Sequence, residues 1–445
     1  MKRILIRFLT DYGMLVVLTG LCGFFSIVTW SEQFPTGTAA ARQIADLIQS
    51  SPNRLAAPAK TNVLIVARNQ PVDLTFAAEL KSLLQAEQIQ TMGVVNGEPR
   101  DARTLLQKTN TAGTPVHFIA MTQDAASWLV FRDLSTDFPA LGQPQLLSPI
   151  SYGWPNFLKS ENLINIANQI AVIAIIAIGM TMVIVSGGID LSVGSLIAFS
   201  AVVSARWIRD FAGAESAGVT GMIIASVVAV SACAAVGLFS GLMITLFGIP
   251  PFIVTLAMML VASGTAYILA DGQSVYQIPE SFVWLGRGTG FGGIPHSVTL
   301  MIILYGAAHI LMSRMKPGRY LYAVGGNREA ARLSGVPVTQ VLLFAYLSSA
   351  VLAGLGGVIM ASQLKSGSPT YGNMYELYVI AAAVVGGTSL SGGEGRMPGT
   401  LLGAFTIAVI QNGMNLTNVE SYTQKVVLGL VILGAVMLDL FRHRS

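Results

Sequence analysis

The sequence predicts an α-helical polytopic membrane protein with an inserted α/β domain outside the membrane. Three observations carry that expectation. Charged residues make up 11% and hydrophobic residues 53% of the 445 residues. Ordinary soluble domains are about 25% charged, and a chain this long with so little charge cannot cover a water-facing surface. Apolar runs of bilayer-crossing length, about 20 residues, recur to the C-terminus, and about ten fit. One segment, 32–150, breaks the pattern: charge returns, and prolines and polar residues punctuate it. The expected division is therefore 1–31 as a first transmembrane helix, 32–150 as the insert and 151–445 as the transmembrane domain.

The spans are expected over 12–30, 166–186, 192–208, 219–247, 252–270, 297–313, 338–362, 375–390, 397–417 and 423–440. The third is short with a polar tip and the eighth ends in glycines, so each is a candidate for a broken or partial crossing. Glycine inside such spans lets helices approach closely. Orientation follows from lysine and arginine, which concentrate in cytoplasmic loops. Lys2, Arg3 and Arg7 precede the first span; Arg314, Lys316, Arg319, Arg328 and Arg332 lie between the sixth and seventh. Arg396 lies between the eighth and ninth, and Arg442 and Arg444 follow the tenth. All four groups fall on one side, placing both termini in the cytoplasm; Arg206 and Arg209 are a minority at the outer edge. The small residues of Thr36–Ala41 offer a secretory cleavage site as the alternative reading of the N-terminus. They come late after a run of near-spanning length, which favours an uncleaved helix.

Within the insert, residues 62–67 read as a buried strand and 73–87 as a helix with Asp73 as its cap. Residues 89–95 read as a second strand, 99–109 as a second helix and 116–121 as a third strand. Strand–helix–strand–helix–strand with short connections implies a parallel sheet.

The stretch Gly179–Ala198 is the most informative of the transmembrane part. An apolar span stops at Gly187-Gly188, meets Asp190, and resumes after Ser192 and Gly194. A carboxylate at mid-bilayer costs roughly 2.5–3.5 kcal/mol on insertion scales, so such a residue has a role or sits at the membrane edge. The flanking glycines favour the edge, with Asp190 or Ser192 capping the next helix. The most basic loop also has a pattern of its own. Gly325-Gly326-Asn327 reads as a turn, and Glu329–Leu333 as a short helix capped by Asn327. Ala330, Ala331 and Leu333 give that helix a small apolar face, suited to a groove on a soluble partner. The bland alternative is a solvated basic loop that only sets topology.

Four blocks together resemble the permease subunit of ribose-type ABC sugar importers: Gly179–Ser195, Gly318–Val336, Ala381–Gly399 and Gln411–Leu416. The resemblance runs from about Pro155 to Leu440 and includes the first span. It implies a bacterial inner-membrane permease, a cytoplasmic ABC ATPase subunit, an extracytoplasmic sugar-binding protein, and a second permease copy or homologue. It also implies that the short helix is the coupling helix, which assigns ATPase contact to Gly325, Gly326, Asn327, Glu329, Ala330, Ala331, Ser334 and Gly335. The insert departs from the family's pattern. Val63–Pro71 and Val94–Ala102 resemble the first lobe of ribose-type periplasmic sugar-binding proteins, and the second lobe is missing. One lobe makes half a cleft, whereas good small-molecule sites bury most of the ligand. The insert is therefore expected to dock or orient another component, or to act as a spacer.

Catalysis is not expected. Leu390–Glu394 looks like the signature sequence of ABC ATPases, but no phosphate loop exists and Gly-Lys never occurs. ATP hydrolysis is expected on a partner. Residues 386–399 read as a glycine-rich cytoplasmic turn with a hinge or close-packing role. His117, His296, His309 and His443 are scattered without metal-ligand spacing, and Cys22 and Cys233 lie in apolar runs, so no metal or cofactor is expected. Asn168, Gln169, Gln411, Asn412 and Asn415 are candidates for the sugar path, with hydrogen-bonded glue between helices as the competing role. The rival functions are a secondary transporter without an ATPase and a non-transporting sugar sensor. Ion-coupled carriers need membrane-embedded acids or histidines. The acids near spans, Asp190, Glu376 and Asp439, all fall at span ends, which argues against the carrier.

Overall fold

The computed structural model describes residues 2–52 and 61–444, with side chains for all of these except residues 2–12, 291, 435 and 438–444. The side chains of Lys2, Arg3, Arg7, Asp439, Arg442, His443 and Arg444 thus lie outside the description. The chain divides into two compact units: Met1–Thr29 with Pro155–Ser445, and Trp30–Trp154.

The smaller unit is built on a parallel four-stranded sheet. Its strands are β2 (Asn62–Ala67), β3 (Gln90–Asn96), β4 (Phe118–Met121) and β5 (Gln145–Leu147), in the order β3-β2-β4-β5. The central run Val63–Ala67 is buried on both faces, as the middle of a parallel sheet requires. Val63 and Ile65 meet Phe76 and Leu80 of the Pro71–Ala86 helix and Ile44 and Ile48 of the Gly37–Ser50 helix. Leu64 and Val66 point to the other layer, with Leu106 of the Pro99–Thr111 helix, Phe131 and Leu141. One sequence expectation changes here. Asp73 is no cap: Gln70 occupies that position, Pro71 starts the helix, and buried Asp73 accepts from Arg68 Nε at 2.8 Å. Ala40 and Ala41, in the stretch considered for cleavage, are buried inside a helix. A separate pair of strands, β1 (Trp30–Gln33) and β6 (Tyr152–Pro155), joins the two ends of the unit.

The larger unit is a helical bundle. Among the described residues, five helices are long and apolar enough to cross a membrane: Ser160–Val185, Val219–Leu246, Pro251–Leu269, His296–Arg314 and Val338–Leu364. Ser160–Val185 is enclosed by its neighbours over most of its length, whereas Val219–Leu246 and Pro251–Leu269 present large apolar side chains outward. Helices also lie over the other expected spans: Lys2–Val28, Val193–Phe211, Tyr375–Val385, Met397–Leu416 and Ser421–Arg444. Tyr375–Val385 has only 11 residues. At 1.5 Å per residue it reaches roughly half of a ~30 Å hydrocarbon core. Arg206 and Arg209, the exceptions to the charge pattern, are held by local acids: Arg206 by Asp210 at 2.8 Å and Asp271 at 3.5 Å, and Arg209 by Asp210 at 2.7 Å.

Small residues set the spacing of the bundle. An added Cβ on Gly179 would meet Ser349 Cα at 2.6 Å, and one on Gly357 would meet Ile197 O at 2.5 Å. Gly403 lies against Ala382 O and Gly386 against Gly399 O. Helices therefore touch backbone to backbone where lipid supplies no hydrophobic drive for large side chains to interlock.

Candidate functional site: the break after Val185 and the capped helix at Arg328–Leu333

The Ser160–Val185 helix ends as its glycines direct. Gly187 takes φ +81°, and the Gly187 and Gly188 N–H groups return to Ile184 O and Val183 O. Only glycine adopts that left-handed conformation without cost. The chain then turns into the bundle. Asp190 is 2% exposed. Its Oδ1 accepts from Ser192 N at 3.0 Å and Ser192 Oγ at 2.6 Å, and its Oδ2 accepts from Ser349 Oγ at 2.8 Å. Ser349 lies well inside the Val338–Leu364 helix, so Asp190 is enclosed by the bundle and is not a solvent-facing cap. The capping expectation changes with it. Ser192 occupies the cap position of Val193–Phe211 but makes no side-chain cap bond: its backbone is already helical (φ −79°, ψ −13°), and its hydroxyl donates to Asp190. A buried carboxylate needs such partners, since each unsatisfied oxygen would carry its desolvation cost. Gly194 completes the segment: an added Cβ would strike Glu376 Oε2 at 2.1 Å and Gly372 O at 2.7 Å. The start of Val193–Phe211 is thus seated directly against the start of the half-length Tyr375–Val385 helix.

The basic segment is more helical than its glycines suggest. Lys316–Gly326 is a helix, so Gly325 and Gly326 are its last residues and not a turn. Asn327 is the extended break, with φ −157° and ψ 105°. Its Oδ1 accepts from Ala330 N at 2.9 Å and so caps Arg328–Leu333, as expected from its position before the helix. Ser334 N and Gly335 N close the other end on Ala330 O and Arg332 O, with Gly335 at φ +79°. The apolar face is split: Ala331 is buried against the bundle, while Ala330 is exposed and Leu333 is 83% exposed. Glu329 and Arg332 pair at 3.0 Å on the solvent side. An isolated leucine held out on a capped helix, with alanine beside it, is suited to contact with another molecule. Leu333, part of the apolar face read from the sequence, is absent from the contact residues that the resemblance implies.

Behind this helix three glycine segments meet. Gly393 N donates to Val185 O at 2.9 Å, and Gly325 fits so tightly there that an added Cβ would stand 1.7 Å from Val185 O. Tyr322 Oη donates to Gly395 O at 2.7 Å. Burial pushes the Tyr322 hydroxyl above its ordinary pKa, and Arg396 opposes that, so the hydroxyl keeps its proton and remains a donor.

The polar candidates for a sugar path are spread. Asn168 Oδ1 accepts from Ser297 Oγ, and from Gln363 Nε2 at 3.4 Å. Asn412 and Asn162 exchange bonds of 3.0 and 2.8 Å, and Asn415 Oδ1 accepts from Gln424 Nε2 at 2.8 Å. Three of the five thus bond to other polar side chains. Gln169 is exposed and Gln411 half-buried.

Comparison with known proteins decides the class. A family described as the permease component of the branched-chain amino acid transport system matches residues 162–436. The ribose import permease protein RbsC of Escherichia coli K12 is 41% identical over 302 residues, 66% of this chain and 90% of that protein. This chain belongs to the ABC importer permeases. RbsC of Bacillus subtilis strain 168 is 42% identical over 303 residues, covering 68% of this chain and 91% of its own length. The D-allose transport system permease protein AlsC of Escherichia coli K12 is 36% identical over 283 residues, 64% of this permease and 84% of AlsC. No solved structure matches the permease. The family match begins at residue 162, so the Trp30–Trp154 unit lies outside it.

Proposed function

We propose that the permease translocates a monosaccharide or related neutral polyol, delivered by a soluble binding protein, by alternating access driven by a separate ATPase subunit. The names of the relatives, which specify ribose import and D-allose and L-arabinose transport, support the substrate class. The observation that carries the reading is the capped Arg328–Leu333 helix, which seats Ala331 in the bundle and holds Leu333 out. That helix docks on the ATPase, with Gly325, Gly326, Asn327, Glu329, Ala330, Ser334 and Gly335 setting its shape. The nucleotide cycle supplies the energy, and the bundle supplies two packings of similar stability. Asp190 with Gly187, Gly188, Ser192 and Gly194 forms the internal break around which those packings differ. Gln169 and Gln411 are the favoured polar groups of the sugar path, because Asn168, Asn412 and Asn415 are engaged with side chains of other segments.

The remaining parts follow in the same reading. Ten helical segments cross or enter the bacterial inner membrane, both termini are cytoplasmic, and two permease copies, or one copy and a homologue, line the path. Residues 32–150 are periplasmic and form a single lobe like that of a sugar-binding protein, which docks or orients the soluble receptor. A secondary carrier would need no ATPase contact, and a sensor would not transport. Leu333→Asp separates the three. It keeps the Asn327 cap and the Ala331 anchor but charges the exposed contact. Loss of ATPase co-purification and of sugar uptake is the expected result. Unchanged uptake would favour the carrier, and absence of uptake by the unaltered protein would favour the sensor.

A further inference from the structure

The short helix is tied to the inside of the bundle by an unusual joint. Three chain segments meet there with almost no side chains between them. The first is the end of Ser160–Val185, through Val185 O and Gly187. The second is the end of Lys316–Gly326, through Gly325 and Gly326. The third is the loop that follows the Tyr375–Val385 helix, through Gly392 and Gly393. An added Cβ on Gly325 would meet Val185 O at 1.7 Å and Gly393 N at 2.6 Å. One on Gly392 would meet Gly325 O at 3.0 Å and Gly187 Cα at 3.1 Å, and one on Gly393 would meet Gly326 Cα at 3.0 Å. Gly187, Gly392 and Gly393 have φ of +81°, +83° and +77°. Two hydrogen bonds fasten the joint independently of this packing: Gly393 N to Val185 O at 2.9 Å and Tyr322 Oη to Gly395 O at 2.7 Å.

Each segment leads to a working part. Gly325 and Gly326 precede Asn327 and the Arg328–Leu333 helix. Gly187 precedes Asp190 and the start of Val193–Phe211. The glycine loop connects the half-length Tyr375–Val385 helix to Met397–Leu416. Packed side chains can absorb a small displacement by changing rotamer, but backbone pressed on backbone has no such freedom. Close-packed contacts of this kind switch between discrete arrangements instead of deforming gradually.

We infer that this glycine joint is the relay that carries movement of the Arg328–Leu333 helix to both breaks in the bundle, with Gly325 and Tyr322 as positioning residues. The inference rests on the reading of that helix as the ATPase contact. Displacement of the helix shifts Gly325 against Val185 O and Gly393 N together, so the break at Asp190 and the loop at 386–396 move as one. Gly306, in the His296–Arg314 helix and outside the joint, is the control, since an added Cβ there meets nothing within 4 Å.

The test is hydrogen exchange on the whole permease–ATPase complex, with and without ATP and vanadate, together with the rate of ATP hydrolysis. In the unaltered complex, exchange should respond to nucleotide at 327–333, 186–192 and 386–396. Tyr322→Phe removes one hydroxyl and almost no volume, so it tests the relay even if Gly325→Ala fails to assemble. Both variants should keep the nucleotide response at 327–333 and reduce it at 186–192 and 386–396 by about threefold or more, the scale of one lost hydrogen bond. Gly306→Ala should behave as the unaltered complex. A purely structural joint would change exchange equally in both nucleotide states. The relay is overturned if 327–333 responds while the other two segments do not, or if they respond equally in Tyr322→Phe. If 327–333 itself never responds, the ATPase-contact reading has failed and the relay falls with it.

Discussion

Both units bury large apolar side chains, but the bundle adds close backbone contacts at small residues. The core of the Trp30–Trp154 unit is made of large side chains that leave water completely, among them Ile44, Ile48, Phe76 and Leu80. The bundle is closest where side chains are smallest, at Gly179 against Ser349 and Gly357 against Ile197 and Ser200. On the proposed placement of the smaller unit outside the membrane, the difference follows from solvent. A unit in water gains from every apolar group it hides. A helix in lipid gains nothing by exchanging one apolar neighbour for another, so it gains by close approach and by satisfying polar atoms. The two regions should therefore fail under opposite substitutions.

The largest effect is expected from filling a contact in the bundle. In Gly179→Val, the first added atom would stand 2.6 Å from Ser349 Cα, a backbone atom that no rotamer can move aside. Overpacking usually costs about 1–3 kcal/mol when side chains can yield, and more when they cannot. Detergent-solubilised Gly179→Val should give no monodisperse peak in size-exclusion chromatography. A normal peak with unaltered melting would show that the helices are not held at this distance.

The converse change belongs to the smaller unit. Leu80 is fully buried between the Pro71–Ala86 helix and the sheet. Leu80→Ala should cost about 2–5 kcal/mol through lost burial and the cavity left behind. In the full-length protein, proteolysis within 61–154 should then rise about 30-fold or more, because cleavage tracks the population of the opened form. The bundle should stay resistant. Equal loosening of both units would break the comparison, since it would mean that they do not fold as separate cores.

How much of this was legible beforehand depends on the range of the interaction. Runs of apolar residues announced the helices, because bilayer thickness imposes their length. The stop at Gly187-Gly188 and the Asn327 cap were also legible, because each is decided within a few residues. The strands at 62–67 and 90–96 were legible by their apolar runs, whereas β5 is three residues long and carries no pattern of its own. The Gly37–Ser50 helix was missed although Ala40, Ala41, Ile44, Ala45 and Ile48 are spaced for it. The enclosure of Asp190 by the bundle was not legible, because its partner Ser349 is 159 residues away. Nor could a six-residue helix reveal that Ala331 turns inward and Leu333 outward; that choice is made by the bundle to which the helix is attached.

The smallest effect is the finest test of the contrast, and it falls on that distant pair. Ser349→Ala removes one hydrogen bond and leaves Asp190 Oδ1 with both of its Ser192 contacts. Hydrogen bonds between membrane helices average only about 0.6 kcal/mol, because alternative partners are found when they are lost. Here the carboxylate is 2% exposed, so water has little access to replace the lost hydroxyl. The expected cost is therefore nearer the ~1–3 kcal/mol of a buried acceptor left unsatisfied. A lowered melting temperature in detergent, restored in large part by Ser349→Thr, would place Asp190 among the groups that lock the bundle by polar satisfaction. If Ser349→Ala melts with the unaltered protein, the interior acid finds another partner, and close approach of small residues alone accounts for the packing of the bundle.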